Sequence, residues 1–240
     1  MSAPPVPVAI IGMGRMGRAI ATLAPERGCD VVVTLGSVDM RSRLTRDSFA
    51  NAAVAIEFTE PSAAVKNAVA CVEVGMPVVI GTTGWSAQMP VLTAAVETNN
   101  GLVLWSPNFS LGMQLFIRIA ENAARLMSAG SYDQHIVETH HAAKKDAPSG
   151  TAIAIAEAVT RGTGHAAVPT TSVRVGHVPG THEVIFDAPF EQIRLSHEAR
   201  DRRVFADGAL YAARWLSTQR RHGIYTMRDV IDSPLGTEQA

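Results

Sequence analysis

The sequence has little cysteine and few charged residues. Its 240 residues include only Cys29 and Cys71, which excludes a disulfide-rich framework and predicts two buried free thiols in a reducing compartment. Charged residues make up 18% of the chain and hydrophobic residues 47%, a balance that excludes a disordered or fibrous protein. The formal net charge of -1 gives no general attraction to nucleic acid or to an anionic membrane surface. We therefore expect a globular protein.

A membrane-spanning or secretory segment is also missing. No charged residue occurs from Val74 to Val96, but Gly81-Thr82-Thr83-Gly84 interrupts the run of about 20 apolar residues that a spanning helix requires. The first five residues contain no basic side chain, and the apolar run Val6–Ile11 is too short for a signal sequence. These absences predict a cytoplasmic protein with no membrane contact.

Lysine is scarce as well. Of 21 basic side chains, only Lys66, Lys144 and Lys145 are lysines, and two of these are adjacent. Lysine exchanges a proton near neutral pH once its surroundings shift its pKa, whereas arginine stays protonated. The adjacent pair is therefore a candidate for proton-transfer chemistry.

The order of predicted elements changes along the chain. In the first half, helices separate strands predicted at 6–11, 31–35, 54–58, 77–80 and 102–105, an alternation typical of a doubly wound parallel sheet. The first of these helices is predicted over 15–27. In the second half, a helix over 111–127 precedes strands at 134–140, 171–178, 182–186 and 191–197, with one helix over 151–161. The predicted fold class is α/β: a Rossmann-like doubly wound parallel sheet, with a second α+β domain containing a mixed sheet.

A glycine loop follows the first predicted strand. It matches the pattern G-x-G-x-x-G and consists of Gly12, Met13, Gly14, Arg15, Met16 and Gly17. Because a strand precedes the loop and a helix follows it, the motif has the context that dinucleotide binding requires. Glycines let backbone N–H groups approach a pyrophosphate, and the helix N-terminus adds partial positive charge. The loop therefore predicts binding of NAD or NADP.

The end of the second predicted strand bears on which of the two cofactors binds. In NAD enzymes an acidic residue about 20 positions beyond the glycines binds the ribose hydroxyls. That count reaches the uncharged Gly36 and Ser37, while Asp39 lies slightly too far along. Three arginines are near this position or in the loop: Arg15, Arg41 and Arg43. The prediction is NADPH, or use of both cofactors; the alternative that these arginines belong to a solvated loop stays open.

The densest group of reactive residues lies between a predicted strand and a predicted helix, over residues 138–151. It contains His140, His141, the lysine pair and a helix start at Ser149-Gly150-Thr151. Histidine, lysine and free helix-terminal N–H groups together suit an anionic substrate that must receive a proton. No metal is predicted, because adjacent histidines cannot easily share an ion and no cysteine is near.

This run, E-x-H-H-x-x-K-x-D-A-P-S-G-T-A, resembles the 4-hydroxy-tetrahydrodipicolinate (dihydrodipicolinate) reductase family of bacterial lysine and diaminopimelate biosynthesis. The resemblance extends over nearly the whole chain and includes the stretches 12–18, 57–59, 81–84, 107–110 and 225–230. Two departures are Glu57, where aspartate is commoner, and Gly36, where some members have a ribose-binding glutamate.

The resemblance implies NAD(P)H-dependent reduction of the cyclic imine 4-hydroxy-tetrahydrodipicolinate to tetrahydrodipicolinate. It makes His140 the acid–base residue and Lys144 the proton donor, and it gives Lys145 no role. His141 and the backbone of Gly150 and Thr151 would bind the substrate. Beyond the glycine loop, the implied cofactor-binding residues are Gly81, Thr82, Thr83, Ser106, Pro107, Asn108 and Phe109.

The resemblance also implies the domain organisation. Residues 1–109 and 203–240 would form the dinucleotide-binding domain, and residues 110–202 the domain for substrate binding and oligomerisation, with a homotetramer built through its sheets. Two other functions stay open. Another two-domain reductase, such as an amino-acid dehydrogenase, would explain the glycine loop but not the His-His-x-x-Lys run. A non-catalytic NADP-sensing regulator would need no titratable cluster.

Overall fold

The computed structural model describes residues 4–41, 44–164 and 167–235. The described residues form two compact units: one consists of those within Met1–Ser110 and Arg203–Ala240, and the other of those within Leu111–Arg202. Arg43, one of the arginines considered for cofactor selectivity, lies outside the described residues, and so does the side chain of Arg41.

Ten strands and seven α-helices occur in the described residues. The strands are β1 (Val6–Ile11), β2 (Cys29–Leu35), β3 (Val54–Glu57), β4 (Val78–Ile80), β5 (Leu102–Trp105), β6 (Asp133–His140), β7 (Thr170–Arg174), β8 (Thr181–Ala188), β9 (Glu191–Glu198) and β10 (Gly223–Thr226). The helices are α1 (Arg15–Leu23), α2 (Pro61–Glu73), α3 (Met89–Asn99), α4 (Leu111–Met127), α5 (Gly150–Thr163), α6 (Arg203–Thr218) and α7 (Met227–Asp232).

The first unit is built on a six-stranded sheet in the order β2-β1-β3-β4-β5-β10. Every strand pair is parallel, which confirms the predicted doubly wound parallel sheet. Strands β3 and β4 are fully buried, and apart from Glu57 at the end of β3 their residues are apolar, as expected for strands with both faces covered. Because β2 and β3 lie on opposite sides of β1, the winding reverses there. In open α/β sheets, ligands bind at the carboxyl ends of the strands that flank such a reversal.

Two predicted elements extend several residues too far, and in each case a turn ends the observed element earlier. The helix predicted over 15–27 stops at Leu23, because Pro25 starts a separate 3₁₀ turn that ends at Gly28 with a φ of 66°. The strand predicted over 171–178 stops at Arg174, and the chain turns at Gly176, which has a φ of 53°.

Strand β10 and helix α7 have no counterpart among the predicted elements. Strand β10 has only four residues, all half-buried, and it becomes a strand by pairing with β5 from far along the sequence. Helix α7 begins with a capping box in which Thr226 and Asp229 satisfy each other's backbone N–H groups.

The second unit contains a four-stranded sheet in the order β7-β6-β8-β9. Strands β6 and β7 are parallel and the other two pairs antiparallel, which confirms the predicted mixed sheet. Helices α4 and α5 pack on one face, where Phe116 and Ile155 join Ile136, Val184 and Phe186 in the core. Alternate residues of β8 are buried beneath the helices, so a polar residue on this face is held inside the unit.

Two further expectations concern cysteine and membranes. Cys29 and Cys71 are free and buried, as predicted. Burial raises the pKa of the Cys29 thiol to about 11, which keeps it protonated and unreactive. Across the described part of the chain, no helix combines the length and apolar character that crossing a membrane requires.

Candidate functional site

The glycine loop lies at the carboxyl end of β1, beside the reversal point of the sheet. Gly12 has a φ of 93°, and a Cβ there would lie 2.4 Å from the Phe58 carbonyl oxygen. A Cβ at Gly17 would lie 2.0 Å from the Gly12 carbonyl oxygen, so α1 approaches the loop too closely for any side chain. Gly14 caps α1 without a side-chain hydrogen bond, and a Cβ there would meet nothing within 4 Å. Because no side chain of the described residues caps the start of α1, the pyrophosphate of a dinucleotide could bind there.

Loops after β3 and β4 are tied to each other next to the glycine loop. The Thr59 N–H donates to Glu57 Oε1 at 3.0 Å and to Thr82 Oγ1 at 2.8 Å. The Gly81 N–H donates to the Glu57 carbonyl oxygen at 2.9 Å. Thr82 is buried while Thr83 is exposed, so Thr82 holds the loop and Thr83 lies on its surface. The buried Glu57 has a raised pKa because of desolvation, which its hydrogen bonds only partly offset.

The loop after β5 is held by its own polar groups. Ser106 Oγ donates to the Asn108 carbonyl oxygen at 2.7 Å, and Asn108 Oδ1 accepts from the Ser110 N–H at 2.9 Å. Ser106 and Phe109 are buried, whereas Pro107 is exposed. The Phe109 ring lies 6.1 Å from that of Phe58, centroid to centroid. The predicted cofactor residues thus lie on loops at the carboxyl ends of β1, β4 and β5, some on the surface and some shaping the loop.

The end of β2 differs from the expectation. Asp39 Oδ2 accepts a hydrogen bond from the Gly36 N–H at 2.7 Å. By the count Asp39 lies slightly too far along the chain, but the turn after β2 folds its carboxylate back to Gly36, the position reached by counting. A negative charge is present there after all.

In the second unit, Glu138 is the centre of the polar cluster. It is fully buried on β6, directly opposite Ser172 of β7 and His182 of β8. Its Oε1 accepts hydrogen bonds from the Ser149 N–H at 2.9 Å, Ser172 Oγ at 2.7 Å and Arg174 Nη2 at 2.8 Å. Burial raises the pKa of this carboxyl, but the hydrogen bonds outweigh burial and bring it to about 2. Glu138 is therefore a buried carboxylate anion.

Two imidazoles face the other oxygen of Glu138. His140 Nδ1 lies 3.2 Å and His182 Nε2 3.8 Å from Oε2, and the two rings meet edge to face with centroids 5.1 Å apart. Burial lowers the pKa of His140, and the neighbouring Lys144 and Arg174 lower it further, against the raising effect of Glu138. Burial lowers the pKa of His182 to about 4, so this ring is neutral at physiological pH.

The loop after β6 gives the two lysines different surroundings. Lys144 Nζ donates to both carboxylate oxygens of Asp146 at 2.8 Å, and its side chain is 22% exposed. This pairing lowers the pKa of Asp146. Lys145 is exposed. His141 Nε2 lies 3.1 Å from Arg202 Nη2, which adds a second cationic group to the loop.

Helix α5 begins against the cluster. Ser149 caps the helix by accepting from the Ala152 N–H at 3.1 Å, and its Oγ lies 3.4 Å from His182 Nε2. A Cβ at Gly150 would meet nothing within 4 Å, so the helix start is open at that residue. The second unit thus brings the partial positive charge of a helix start, at Gly150 and Thr151, to the same place as His140 and Lys144.

Sequence reasoning missed the roles of Ser172, Arg174 and His182. The alternation on β8 contained a signal, because His182 precedes the buried Val184 and Phe186 at spacing two. The register with β6 was not visible from the sequence. Through that register Glu138, His140 and His182 bring three ligand-type atoms within 4.8 Å of one another, a donor set that could hold a zinc ion.

Comparison with known proteins identifies the family. The chain matches the family described as dihydrodipicolinate reductase, N-terminus, over residues 6–109, and dihydrodipicolinate reductase, C-terminus, over residues 112–231. It is 36% identical over 239 residues to the 4-hydroxy-tetrahydrodipicolinate reductase of Acidiphilium cryptum, covering 91% of this chain and 94% of the relative. The reductase of that name from Lawsonia intracellularis is 32% identical over 260 residues, covering 93% and 98%.

Solved structures share the fold. A dipicolinate-bound dihydrodipicolinate reductase from a Paenisporosarcina species matches with a TM-score of 0.75 at 22% identity, over 92% of this chain and 97% of that chain. A probable dehydrogenase from Thermotoga maritima matches with a TM-score of 0.61 at 9% identity, over 91% of each. The sequence matches confirm the resemblance noted above: the chain belongs to the dihydrodipicolinate reductase family of NAD(P)H-dependent oxidoreductases.

Proposed function

We propose that this protein reduces the cyclic imine 4-hydroxy-tetrahydrodipicolinate to tetrahydrodipicolinate with NADH or NADPH. The observation that carries the proposal is the cluster of Glu138, His140 and Lys144 beside the open start of α5. The Paenisporosarcina reductase, which has the same fold, was solved with dipicolinate bound, and dipicolinate is a flat cyclic dicarboxylate. The cluster has cationic side chains and a helix N-terminus, the groups that bind such a dianion.

The residues at the start of α5 would bind the substrate carboxylates. Gly150 and Thr151 are the first residues of α5, and the partial positive charge of a helix N-terminus attracts anions. Lys144 and Arg202 would supply cationic groups from the adjoining segments, with His141 Nε2 lying 3.1 Å from Arg202 Nη2. Hydrogen bonds from charged or dipolar donors to a carboxylate are stronger than neutral ones and fix its orientation.

His140 and Lys144 would handle the proton. When bound, the reduced nicotinamide supplies a hydride; the family resemblance has it add in conjugate fashion, so that a ring carbon must then accept a proton. Burial and neighbouring cations lower the pKa of His140 in the free protein. A bound dicarboxylate brings negative charge that favours the protonated form of His140. Substrate binding would therefore favour a protonated His140 in the complex that reacts.

The glycine loop, residues 12 to 17, would hold the cofactor pyrophosphate, with the loops 81–83 and 106–109 around the nicotinamide end. Asp39 gives the adenine-ribose end a carboxylate that can accept hydrogen bonds from ribose hydroxyls, while the exposed Arg15 can meet a 2′-phosphate. We therefore propose that both cofactors are used.

Assembly and location form part of the same proposal. The sheet face opposite α4 and α5 carries Val137, Val173 and Ile185, which are half-buried or exposed. Burying this face against another copy would contribute to the homotetramer that the family resemblance implies. We place the enzyme in the cytoplasm, where lysine and diaminopimelate are made.

The test is consumption of NADPH and of NADH by the purified protein, measured side by side with the freshly made imine. Simple 2-oxo acids with ammonia serve as the comparison substrates. Steady oxidation of either cofactor with the imine alone supports the proposal. Faster oxidation with 2-oxo acids would instead support an amino-acid dehydrogenase, and cofactor binding without turnover would support a sensor.

A further inference from the structure

We propose that Glu138 is a positioning residue for catalysis: its free carboxylate oxygen holds the His140 ring in the tautomer and orientation from which Nε2 exchanges the substrate proton. The inference rests on the proposed function, because it assigns His140 a proton-transfer step. It goes further by assigning a task to a buried anion.

The hydrogen bonds of Glu138 divide unequally between its two oxygens. Oε1 accepts three donors, from Ser149, Ser172 and Arg174, and these fix the carboxylate plane. Oε2 is buried and has no hydrogen-bond partner of good geometry among the described residues. Since three donors at Oε1 already hold the carboxylate in place, the oxygen that faces His140 is free for another purpose.

His140 Nδ1 is the nearest imidazole atom to that free oxygen, at 3.2 Å, and it too has no hydrogen-bond partner of good geometry within the described chain. A carboxylate accepts and cannot donate, so it favours the tautomer with the proton on Nδ1. Nε2 then carries the lone pair. A small rotation of the ring completes the hydrogen bond and points Nε2 along a fixed direction.

Glycine at position 180 keeps a side chain away from His140 Nε2. A Cβ at Gly180 would lie 3.1 Å from His140 Nε2, closer than most such contacts, so a side chain there would crowd this nitrogen. The ring keeps 7% exposure although its Nδ1 edge is buried. One nitrogen is therefore oriented by the protein and the other is available to a ligand.

The charges around His140 make Glu138 necessary for a second reason. Lys144 and Arg174 face the ring and disfavour its protonation, while Glu138 and Asp146 favour it. The neutral His182 ring fills the remaining side. Without the charge of Glu138 the ring would face two cations and a surface carboxylate that is already paired with Lys144, so its protonated form would be less favoured.

The primary test is Glu138→Gln, with Glu157→Gln as the matched control. Glu157 is partly exposed on α5, so the same chemical change there should leave kcat and His140 unaltered. In Glu138→Gln we expect kcat to fall roughly 10²-fold, the lower end of the range for loss of a positioned general acid. The KM for NADPH should stay constant, and the His140 titration, followed by NMR, should move to lower pH.

Two further measurements cover the case in which this variant does not fold. Glu138→Asp keeps a charge for Arg174 but withdraws the oxygen from His140, so a smaller kcat loss with the same direction of titration shift is expected. In the wild type, imidazole nitrogen shifts should show the tautomer protonated on Nδ1. The opposite tautomer would overturn the proposal, whatever the variants do.

Other outcomes also contradict it. An unchanged His140 titration in Glu138→Gln would mean that the carboxylate only stabilises the fold. A metal ion that purifies with the wild type and is lost in Glu138→Gln would mean that Glu138, His140 and His182 are ligands. If the wild type does not turn over the imine, the proposed function fails, but the tautomer and titration measurements still test the Glu138–His140 pair.

Discussion

The two candidate binding regions differ in which atoms form them: backbone in the first unit and side chains in the second. In the first unit, the crevice at the end of β1 is made by backbone: Gly12 and Gly17 remove side chains so that α1 can approach the loop. In the second unit, the cluster around Glu138 is made by side chains from β6, β7 and β8. A short continuous sequence motif encodes the backbone site, whereas the side-chain site is assembled by the register of strands that are distant in sequence. The first is the more visible in a sequence; the second contains the reactive groups.

The largest effect should come from removing the proposed proton donor. Lys144→Ala should lower kcat roughly 10²–10⁴-fold, the usual contribution of a positioned acid. Lys145→Ala should change kcat little, since that side chain is exposed. Steady-state kinetics of both variants, with NADPH affinity measured separately, check this. Equal losses would mean that the loop has no preferred lysine.

The buried histidine should make the fold sensitive to acid. The pKa of His182 is lowered from 6.5 to about 4, so the unfolded chain binds its proton more readily in that interval. Stability is therefore present above 6.5 and lost as the pH falls toward 4, by an amount on the order of 3 kcal/mol. The Tm of His182→Gln should therefore depend less on pH across this interval than the Tm of the wild type. A wild type with constant Tm over the interval would refute the expectation.

A pair of glycine substitutions should separate packing from ligand binding in the crevice. Gly17→Ala should destabilise the protein by about 1–3 kcal/mol, because its Cβ meets the Gly12 carbonyl oxygen. Gly14→Ala should leave the Tm unchanged, because its Cβ meets nothing, yet it should weaken cofactor binding. Thermal unfolding and cofactor titration measure the two effects. Equal losses of stability in both variants would contradict the difference in surroundings.

The smallest effect concerns cofactor preference. Asp39→Asn removes the negative charge beside Gly36, which should raise the ratio of NADPH to NADH efficiency about fivefold, equivalent to about 1 kcal/mol. Asp47→Asn, a change of the same kind on an exposed residue of another loop, is the control. A ratio that is unchanged, or that moves toward NADH, would show that Asp39 does not contact the ribose.

Much of the fold could be predicted because its signals are local. The bounds of β1, β5 and α4 agree residue for residue with the pattern of apolar runs and turn signals. Strand β10 escapes prediction because it exists through pairing with β5, a contact that no local pattern encodes. The glycine loop is predictable for the same reason that β1 is, since strand, loop and helix are contiguous.

The site could be predicted only in part. His140 and Lys144 stand in one continuous run, and the family resemblance implies their roles. Arg174 and His182 enter the cluster through the register of β7 and β8 against β6. Counting along the chain sets Asp39 aside, although a turn brings its carboxylate back to Gly36. Where the chain folds back over a few residues, or strands pair across the sheet, linear spacing does not give the distance.

The most direct test of this account is a crystal structure of the protein with NADPH and pyridine-2,6-dicarboxylate. We predict the pyrophosphate on the backbone of residues 12 to 17, and one carboxylate on the N–H groups of Gly150 and Thr151 with Lys144 in contact. A pyrophosphate bound away from residues 12 to 17 would contradict the assignment of cofactor binding to the first unit. A dicarboxylate bound away from His140, or held by Lys145, would contradict the assignment of proton transfer to the second.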